Sequence, residues 1–344
     1  MLDMSAGGEY NSVMNHIFVS RSEDGCFNLA IDEYLLTMIK NGALDGVSLY
    51  FFVNKNAVII GRNQNAWIEC DYEKMDADGV QLVRRHTGGG AVYHDGGNLN
   101  FSFAADERLY DKDRQNAVVL NALKGLGIEA ELSGRNDITV NGMKVSGCAY
   151  ALNGRARGMH GTLLVSTDME RLSRYLKPSK LKLKAKGISS VRARVLNLSE
   201  IADVSVEKVR DAIISEFKKT YGDCAETVSI RSYDDLVRPY GQLEKLYKDR
   251  SSWEWRMGSS PVFDAELRGR AAFGEYQLVF NVKNGVIREP KLFTDALDPS
   301  IPAEIEDLLN GVRFDRAEMA EALKERGGHA AELAEEIGKE AEDE

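Results

Sequence analysis

The chain has 344 residues, 43% of them hydrophobic, and a formal charge of −10, with a pI near 5.2. That length allows one large domain or two with a sizeable core. The acidic balance argues against a general nucleic-acid or anionic-membrane binder, and no apolar run reaches the ~18–20 residues of a membrane span.

The opening MLDMSAGGEYNSVMN has neither a basic start nor an apolar stretch, so no signal peptide is expected. Cys26, Cys70, Cys148 and Cys224 are scattered, with no CxxC or other metal spacing. A reduced, cytoplasmic protein without structural zinc follows.

In chain order, EDGCFNLAIDEYLLTMIK has helical apolar spacing through Phe27, Ile31, Leu35, Met38 and Ile39, with Asp24 as N-cap. VSLYFFVNKNAVIIGRN reads as two strands joined by a turn around Asn54–Asn56, and AVYHDGGNLNFSFAA as further strand. DRQNAVVLNALKGLGIEAE is an amphipathic helix closed near Gly125 or Gly127.

In RNDITVNGMKVSGCAY, Asn141-Gly142 predicts a two-residue type I′ hairpin. Such a turn pairs Val140 with Met143, Thr139 with Lys144, Ile138 with Val145 and Asp137 with Ser146. Asp137, Thr139, Lys144 and Ser146 then share a polar face, and the apolar face goes to the core. RGMHGTLLVSTD is a strand on which His160, Thr162 and Leu164 share a face, and a helix is expected over 205–221.

After SSWEWRMGSSP the texture changes. A second Asn-Gly hairpin is expected at Asn284-Gly285, followed by helix through IPAEIEDLLNGVRFDRAEMAEALKER. The expected organisation is an extension over 1–15, a large domain over 16–260, a small α+β domain over 261–330 and an acidic tail over 331–344. The tail reads as a solvated helix end or a frayed terminus.

The stretch RRHTGGGAVYHDGGNLNFSF carries the strongest chemical signal. Three consecutive glycines cost backbone entropy and imply that bare main chain is needed there. Tyr93 stands where GxGxxG needs its third glycine, the next segment is strand-like, and no GxxxxGK[ST] exists. Neither dinucleotide fingerprint nor P-loop is met. Arg84 and Arg85 tilt the reading toward an anion site, because guanidinium pairs bidentately with phosphate or carboxylate. A plain glycine turn, a solvated strand lysine at Lys144 and a core histidine at His160 are the structural alternatives. The basic run over 177–194 reads either as exposed surface or as a loop that closes over a nucleotide.

Taken together, RRHTGGGAVYHDGGNLNFSF, GRNDITVNGMKVSG, HGTLLVSTDMERLSRYL, KAKGISSVRARVLNL and SSWEWRMG resemble the lipoate–protein ligase A family, in its order and at its approximate spacing, from Ile17 to Leu323. The resemblance implies an α/β (α+β) fold: a biotin/lipoate-ligase-type catalytic domain with mixed sheets flanked by helices, plus a small α+β accessory domain. It implies ATP and Mg²⁺ as cofactors and (R)-lipoate as substrate. Lipoate would be activated to lipoyl-AMP, and the lipoyl group passed to a lysine of an acceptor. Expected acceptors are 2-oxoacid dehydrogenase lipoyl domains or the glycine-cleavage H protein. No nucleic acid or membrane partner is expected, and the chain is read as a monomer.

Lys144 is the expected catalytic cation, meeting charge on the α-phosphate and the carboxylate. The resemblance assigns Arg85, Gly90, Ala91, Val92, Tyr93, Asn136, Asp137, Gly187, Ile188, Ser189 and Ser190 to ATP and the adenylate, with Asp137 also toward Mg²⁺. It assigns Thr87, Gly88, Gly89, Gly90, His94, His160 and Thr162 to the lipoyl side. Cys148 departs from the serine that family members often carry.

A transferase of the same superfamily would use a cysteine nucleophile, and GIEAELSGRNDITVNGMK has none. A biotin ligase should carry a different glycine-rich arginine motif. A non-catalytic adenylate-sensing scaffold is disfavoured by the intact Lys144, Arg85 and glycines.

Overall fold

The computed structural model describes residues 14–134, 136–177, 195–222, 224–232, 241–257 and 265–342. Its strands are β1 (His16–Ser20), β2 (Val47–Phe52), β3 (Ala57–Ile60), β4 (Gln81–Arg84), β5 (Val92–His94), β6 (Asn98–Asp106), β7 (Glu131–Ser133), β8 (Asp137–Val140), β9 (Met143–Asn153), β10 (Ala156–Leu164), β11 (Val228–Ile230), β12 (Ala265–Ala271), β13 (Gly274–Lys283) and β14 (Val286–Thr294). The helices are α1 (Gly25–Lys40), α2 (Ala66–Glu69), α3 (Tyr72–Ala77), α4 (Lys112–Gly125), α5 (Met169–Tyr175), α6 (Val206–Tyr221), α7 (Gly241–Ser251), α8 (Trp253–Met257), α9 (Ile301–Leu309), α10 (Arg316–Lys324) and α11 (Gly328–Glu342).

A mixed sheet in the order β11-β1-β2-β6-β10-β9-β8-β7 forms the centre, beside a small sheet, β4-β3-β5. Helices α4 and α6 cover one face of the large sheet through Val118, Val119, Ile213 and Phe217, which pack on Phe101 and Phe103. Helix α1 and the small sheet cover the other, where Ile31, Leu35, Tyr50, Phe52, Ile59 and Val83 form a second core. Because both faces are covered, every residue of β2 and β6 is buried.

The alternation in β6 is informative. Leu99, Phe101, Phe103 and Ala105 go to the first core, which leaves Asn98, Asn100 and Ser102 on the α1 side.

Helix starts follow their caps: Asp24 accepts from the Cys26 and Phe27 amides, Asp111 from Asp113 and Arg114, and Ser205 from Lys208. Both Asn-Gly turns form, with positive φ at Asn141, Gly142, Asn284 and Gly285.

The register of β8 and β9 departs from the regular hairpin. Val140 pairs with Met143 and Thr139 with Lys144 as expected, but Ile138 faces Ser146 and Asp137 faces Gly147. One extra residue on β9 forms a bulge. Val145 is fully buried in the main core, so the extra residue is absorbed without exposing an apolar side chain. The expected polar face is therefore corrected: Ser146 is buried, and a glycine takes the place opposite Asp137.

Strands β12–β14 form a separate meander that packs with α9, α10 and α11 around Phe280, Leu278, Ile305 and Leu323. Through residue 342 the acidic end is helix, as one of the two expected readings had it, and not a frayed terminus. Helix α11 buries Ala330, Leu333, Ala334 and Ile337 in this core and turns its acidic side outward. The small domain meets the large one through Asn63, whose carbonyl accepts from the Thr294 amide at 2.8 Å and whose side chain donates to the Pro299 carbonyl at 3.2 Å.

Candidate active site

A cavity of about 650 Å³, including its open mouth, lies between the α1 side of the large sheet and β3, β5 and the glycine turn. Leu29, Phe52, Ile59 and Val92 give it apolar walls, while Arg85, Asn136 and Lys144 are polar. That mixture suits an elongated acid with a charged end.

Lys144 Nζ lies 2.6 Å from Asp137 Oδ1, with both side chains partly exposed. The bulge makes this contact possible. Gly147 opposes Asp137, and a Cβ there would stand 2.9 Å from Lys144 Nζ. The lysine thus folds over bare backbone to reach its partner. Its own carbonyl accepts from the Leu196 amide at 2.9 Å, tying β9 to the chain that follows residue 194. Asn136 is fixed to the same strand, its side-chain amide donating to the Cys148 carbonyl at 2.7 Å.

The arginines before the glycines do more structural work than the sequence suggests. Arg84 donates to the carbonyls of Gln64 at 2.6 Å, Trp255 at 2.8 Å and Arg62 and Arg256 at 2.9 Å. Trp255 in turn donates its indole N–H to the Arg84 carbonyl at 2.8 Å, which explains the tryptophan motif beyond residue 250. Arg85 lines the cavity, but its Nη2 donates to the Gly88 and Gly90 carbonyls at 2.7 and 2.8 Å. The glycine turn is wrapped around this guanidinium. Burial lowers the Arg85 pKa to about 10, which leaves it charged at neutral pH.

The three glycines answer to different neighbours. A Cβ on Gly88 would stand 2.1 Å from the Ala296 carbonyl oxygen, so its bareness serves the small domain. Gly89 donates its amide to that same carbonyl at 2.9 Å and has φ +95°. Gly89 and Gly90 line the cavity; Gly88 is not among its walls.

His160 links the turn to α1. Its Nδ1 lies 2.7 Å from Asp32 Oδ2, and its Nε2 lies 2.8 Å from Thr87 Oγ1. A carboxylate only accepts, so Nδ1 carries a proton and donates to Asp32, while Nε2 is paired with the Thr87 hydroxyl. Burial opposes ionisation of Asp32, but the charge and hydrogen bond of His160, with His86 nearby, outweigh it and hold the carboxyl below its ordinary value.

The fold brings Arg85, Gly89, Gly90, Ala91, Val92, His94, Asn136, Lys144, His160 and Thr162 together around one cavity. Asp137 reaches it through Lys144 and Thr87 through His160. Tyr93 turns away: its ring is fully buried in another cluster, 5.5 Å from that of Tyr175. Only its main chain remains for ligand contact. Gly187, Ile188, Ser189 and Ser190 lie outside the described residues.

Asp32, Asn100 and Gly147 were not singled out from the sequence. A carboxylate among the buried positions of α1, and the polar members of the alternating NLNFSF, were the signals available for the first two. Among the cysteines, burial pushes the Cys148 thiol up to about 11 and those of Cys26 and Cys70 up to about 12. None of these three is prepared as a thiolate nucleophile. Cys224 sits beside β1, bridged to Asn15, away from the cavity.

Comparison with known proteins bears on this architecture. The family model for the lipoyl protein ligase A/B catalytic domain matches residues 24–218, and that for the bacterial lipoate protein ligase C-terminus matches 260–342. Lipoate-protein ligase A of Psychrobacter cryohalolentis is 40% identical over 90% of this chain and 92% of its own.

Among solved structures, Plasmodium falciparum LipL1 in complex with lipoate is similar at a TM-score of 0.81 and 30% identity, covering 96% of this chain and all of that one (100%). The bipartite lipoate protein ligase of Thermoplasma acidophilum, described with its E2 lipoyl domain, gives 0.60 at 31% identity, over 74% of this chain and 100% of that one. A lipoate-protein ligase A bound with ATP gives 0.59 at 31% identity, over 71% and 99%.

The class defined by the fold and the cavity is that of an α/β ligase catalytic domain carrying a small C-terminal domain. The chain belongs to the lipoate–protein ligase A family.

Proposed function

We propose that this protein is an ATP-dependent lipoate–protein ligase, acting through a lipoyl-adenylate held around Lys144. The Lys144–Asp137 pair at the polar part of an otherwise apolar cavity is the observation that carries this reading.

In the first step a lipoate carboxylate oxygen attacks the α-phosphorus of ATP. The bond to the bridging β-phosphate oxygen breaks and pyrophosphate leaves. Bringing two anions together requires fixed positive charge, and Lys144, oriented by Asp137, supplies it without reorganisation in the transition state. Arg85 holds the glycine turn in shape, so that the main chain of Gly90, Ala91 and Val92 lines the nucleotide side beside Asn136. In the second step the neutral ε-amine of an acceptor lysine attacks the mixed anhydride, AMP departs and the amine loses a proton. An unperturbed lysine has a pKa of about 10.4, so that amine must be deprotonated before it attacks.

Thr87, His94, His160 and Thr162 serve the lipoyl side, with Asp32 fixing the His160 ring. Among the described residues no group of three His, Cys, Asp or Glu side chains is arranged as a metal centre. Asp137 offers one carboxylate beside the lysine, and Mg²⁺ commonly uses one or two carboxylates plus phosphate oxygens. The donor set therefore suits a Mg²⁺ that arrives with the triphosphate, where it would offset phosphate charge.

The acceptor is a lipoyl-domain protein, either of a 2-oxoacid dehydrogenase complex or the glycine-cleavage H protein, and the enzyme acts as a cytoplasmic monomer. Intact mass of a lipoyl acceptor domain incubated with enzyme, lipoate, Mg²⁺ and ATP tests the reaction. A gain of one lipoyl group that needs ATP is expected. Acyl transfer from an octanoylated carrier without ATP would overturn the reading.

A further inference from the structure

His94 carries a directional signal beyond its place on the lipoyl side. The residue is 3% exposed and lines the cavity from β5. Its Nδ1 lies 3.0 Å from Asn54 Nδ2, and Asn54 is fully buried. Its other ring nitrogen, Nε2, is buried and has no hydrogen-bond partner among the described residues.

The polarity of the His94–Asn54 contact is set further away. The Asn28 amide nitrogen donates to the Ser22 carbonyl at 2.9 Å and to Asn54 Oδ1 at 2.8 Å, while Asn28 Oδ1 accepts from the Ser20 hydroxyl at 2.6 Å. A backbone carbonyl can only accept, which fixes the orientation of the Asn28 amide. Asn54 must then receive on its oxygen and present its NH₂ group to His94. An amide N–H only donates, so Nδ1 is the bare nitrogen and the neutral ring carries its proton on Nε2. Burial, with Arg85 and His160 nearby, lowers the His94 pKa to about 3, so the ring is neutral at working pH.

We propose that the buried chain Ser20–Asn28–Asn54 locks His94 in its Nε2–H tautomer, so that the cavity wall offers one neutral donor that favours a dithiolane-tailed acid over a plain alkyl acid. The inference rests on the ligase reading above. Strand order supports the tail end as the place of contact. Lys144 is on β9, whereas Phe52 and Asn100 are on β2 and β6, two to three strands away across β10. At ~4.8 Å per strand that is roughly 10–14 Å. His94 shares its strand face with Val92, which pairs with Ile59, so the ring stands at the apolar wall with its buried Nε2 beneath that surface. A dithiolane sulfur is a weak acceptor and a terminal methyl is none. Asn54 and Asn28 are positioning residues in this account, acting through His94.

The first test reads the wild-type ring directly. In selectively ¹⁵N-histidine-labelled protein, the ring of His94, assigned by its loss in His94→Gln, is expected to show a protonated Nε2. That proton should shift more on adding lipoate than on adding octanoate. The second test is Asn54→Asp, whose carboxylate only accepts and should draw the proton to Nδ1.

In pyrophosphate exchange with ATP, the KM for lipoate should rise about threefold to fivefold, as for loss of a weak neutral hydrogen bond. The KM for octanoate should change by less than about twofold and kcat little for either acid. An Nδ1–H ring in the wild type, or equal KM changes for both acids, would overturn the tautomer lock or the selectivity respectively. A wild type with an Nε2–H ring that adenylates neither acid would overturn the ligase reading and, with it, the selectivity.

Discussion

Gly147→Ala isolates the geometry of Lys144, the proposed catalytic lysine, from the stability of the fold. The added Cβ would stand 2.9 Å from Lys144 Nζ, 3.1 Å from Cε and 3.9 Å from Asp137 Oδ1. Reaching ordinary van der Waals separation requires the ammonium group to retreat by roughly 0.5–1 Å. The obstructing atoms are the far end of a flexible, partly exposed side chain, so retreat costs little folding free energy. Gly147 also lies outside the left-handed region, so alanine brings no backbone strain.

The consequence falls on chemistry. A displacement of about 1 Å from the reacting position can cost ~10²-fold in rate. The expected result is a fall in kcat for lipoate-dependent pyrophosphate exchange of about 10–100-fold, with a thermal midpoint within a few degrees of wild type. Gly161→Ala is the matched contrast, because its Cβ would meet Phe101 Cζ at 2.5 Å and Cys148 Sγ at 2.9 Å in the core. It should destabilise by ~1–3 kcal/mol. Unchanged exchange in Gly147→Ala, or a loss of stability equal to that of Gly161→Ala, would refute the positioning argument.

Lys144→Ala should lower adenylate formation by ~10²–10³-fold, as for loss of a preorganised transition-state donor. Urea unfolding of that variant should change by less than ~1 kcal/mol, because its ion pair is partly exposed. Gly88→Ala would set a Cβ 2.1 Å from the Ala296 carbonyl oxygen and 2.5 Å from that of Leu297. The contact between the domains should loosen, read as faster limited proteolysis between them; unchanged cleavage would count against that role for Gly88.

The histidines give a pH dependence of definite sign. Burial lowers the pKa of His94 to about 3 and lowers that of His86 as well. Below the ordinary value of ~6.5 the unfolded chain takes up protons that the folded one refuses. Folding stability should therefore fall as pH drops from about 7 toward 4, by up to ~1.4 kcal/mol per pH unit from His94, with His86 acting in the same direction. His94→Gln should flatten part of that slope in urea unfolding; an unchanged slope would contradict its burial as a neutral ring.

Much of the local structure was legible in the chain. Asp24 and Ser205 mark helix starts because their side chains accept from amides that the first turn leaves unpaired. Asn141-Gly142 and Asn284-Gly285 mark hairpins because those pairs tolerate positive φ. The glycine turn, Lys144, Asp137 and His160 were also legible as a set, through motif order over most of the chain.

Contacts between residues distant in sequence were decided by the tertiary structure alone. Asp32 reaches His160 across 128 positions, and Arg84 spends its donors on carbonyls as far away as Arg256. Gly88 answers to Ala296, and the bulge that places Gly147 opposite Asp137 has no turn signal of its own. The last helix, read as an acidic tail, is held by Ala330, Leu333 and Ile337 against a core built from β13 and α9. Caps and turns are set by hydrogen bonds a few residues apart, so sequence determines them. Partners for a buried charge, or neighbours that forbid a Cβ, exist only once separate elements have packed together.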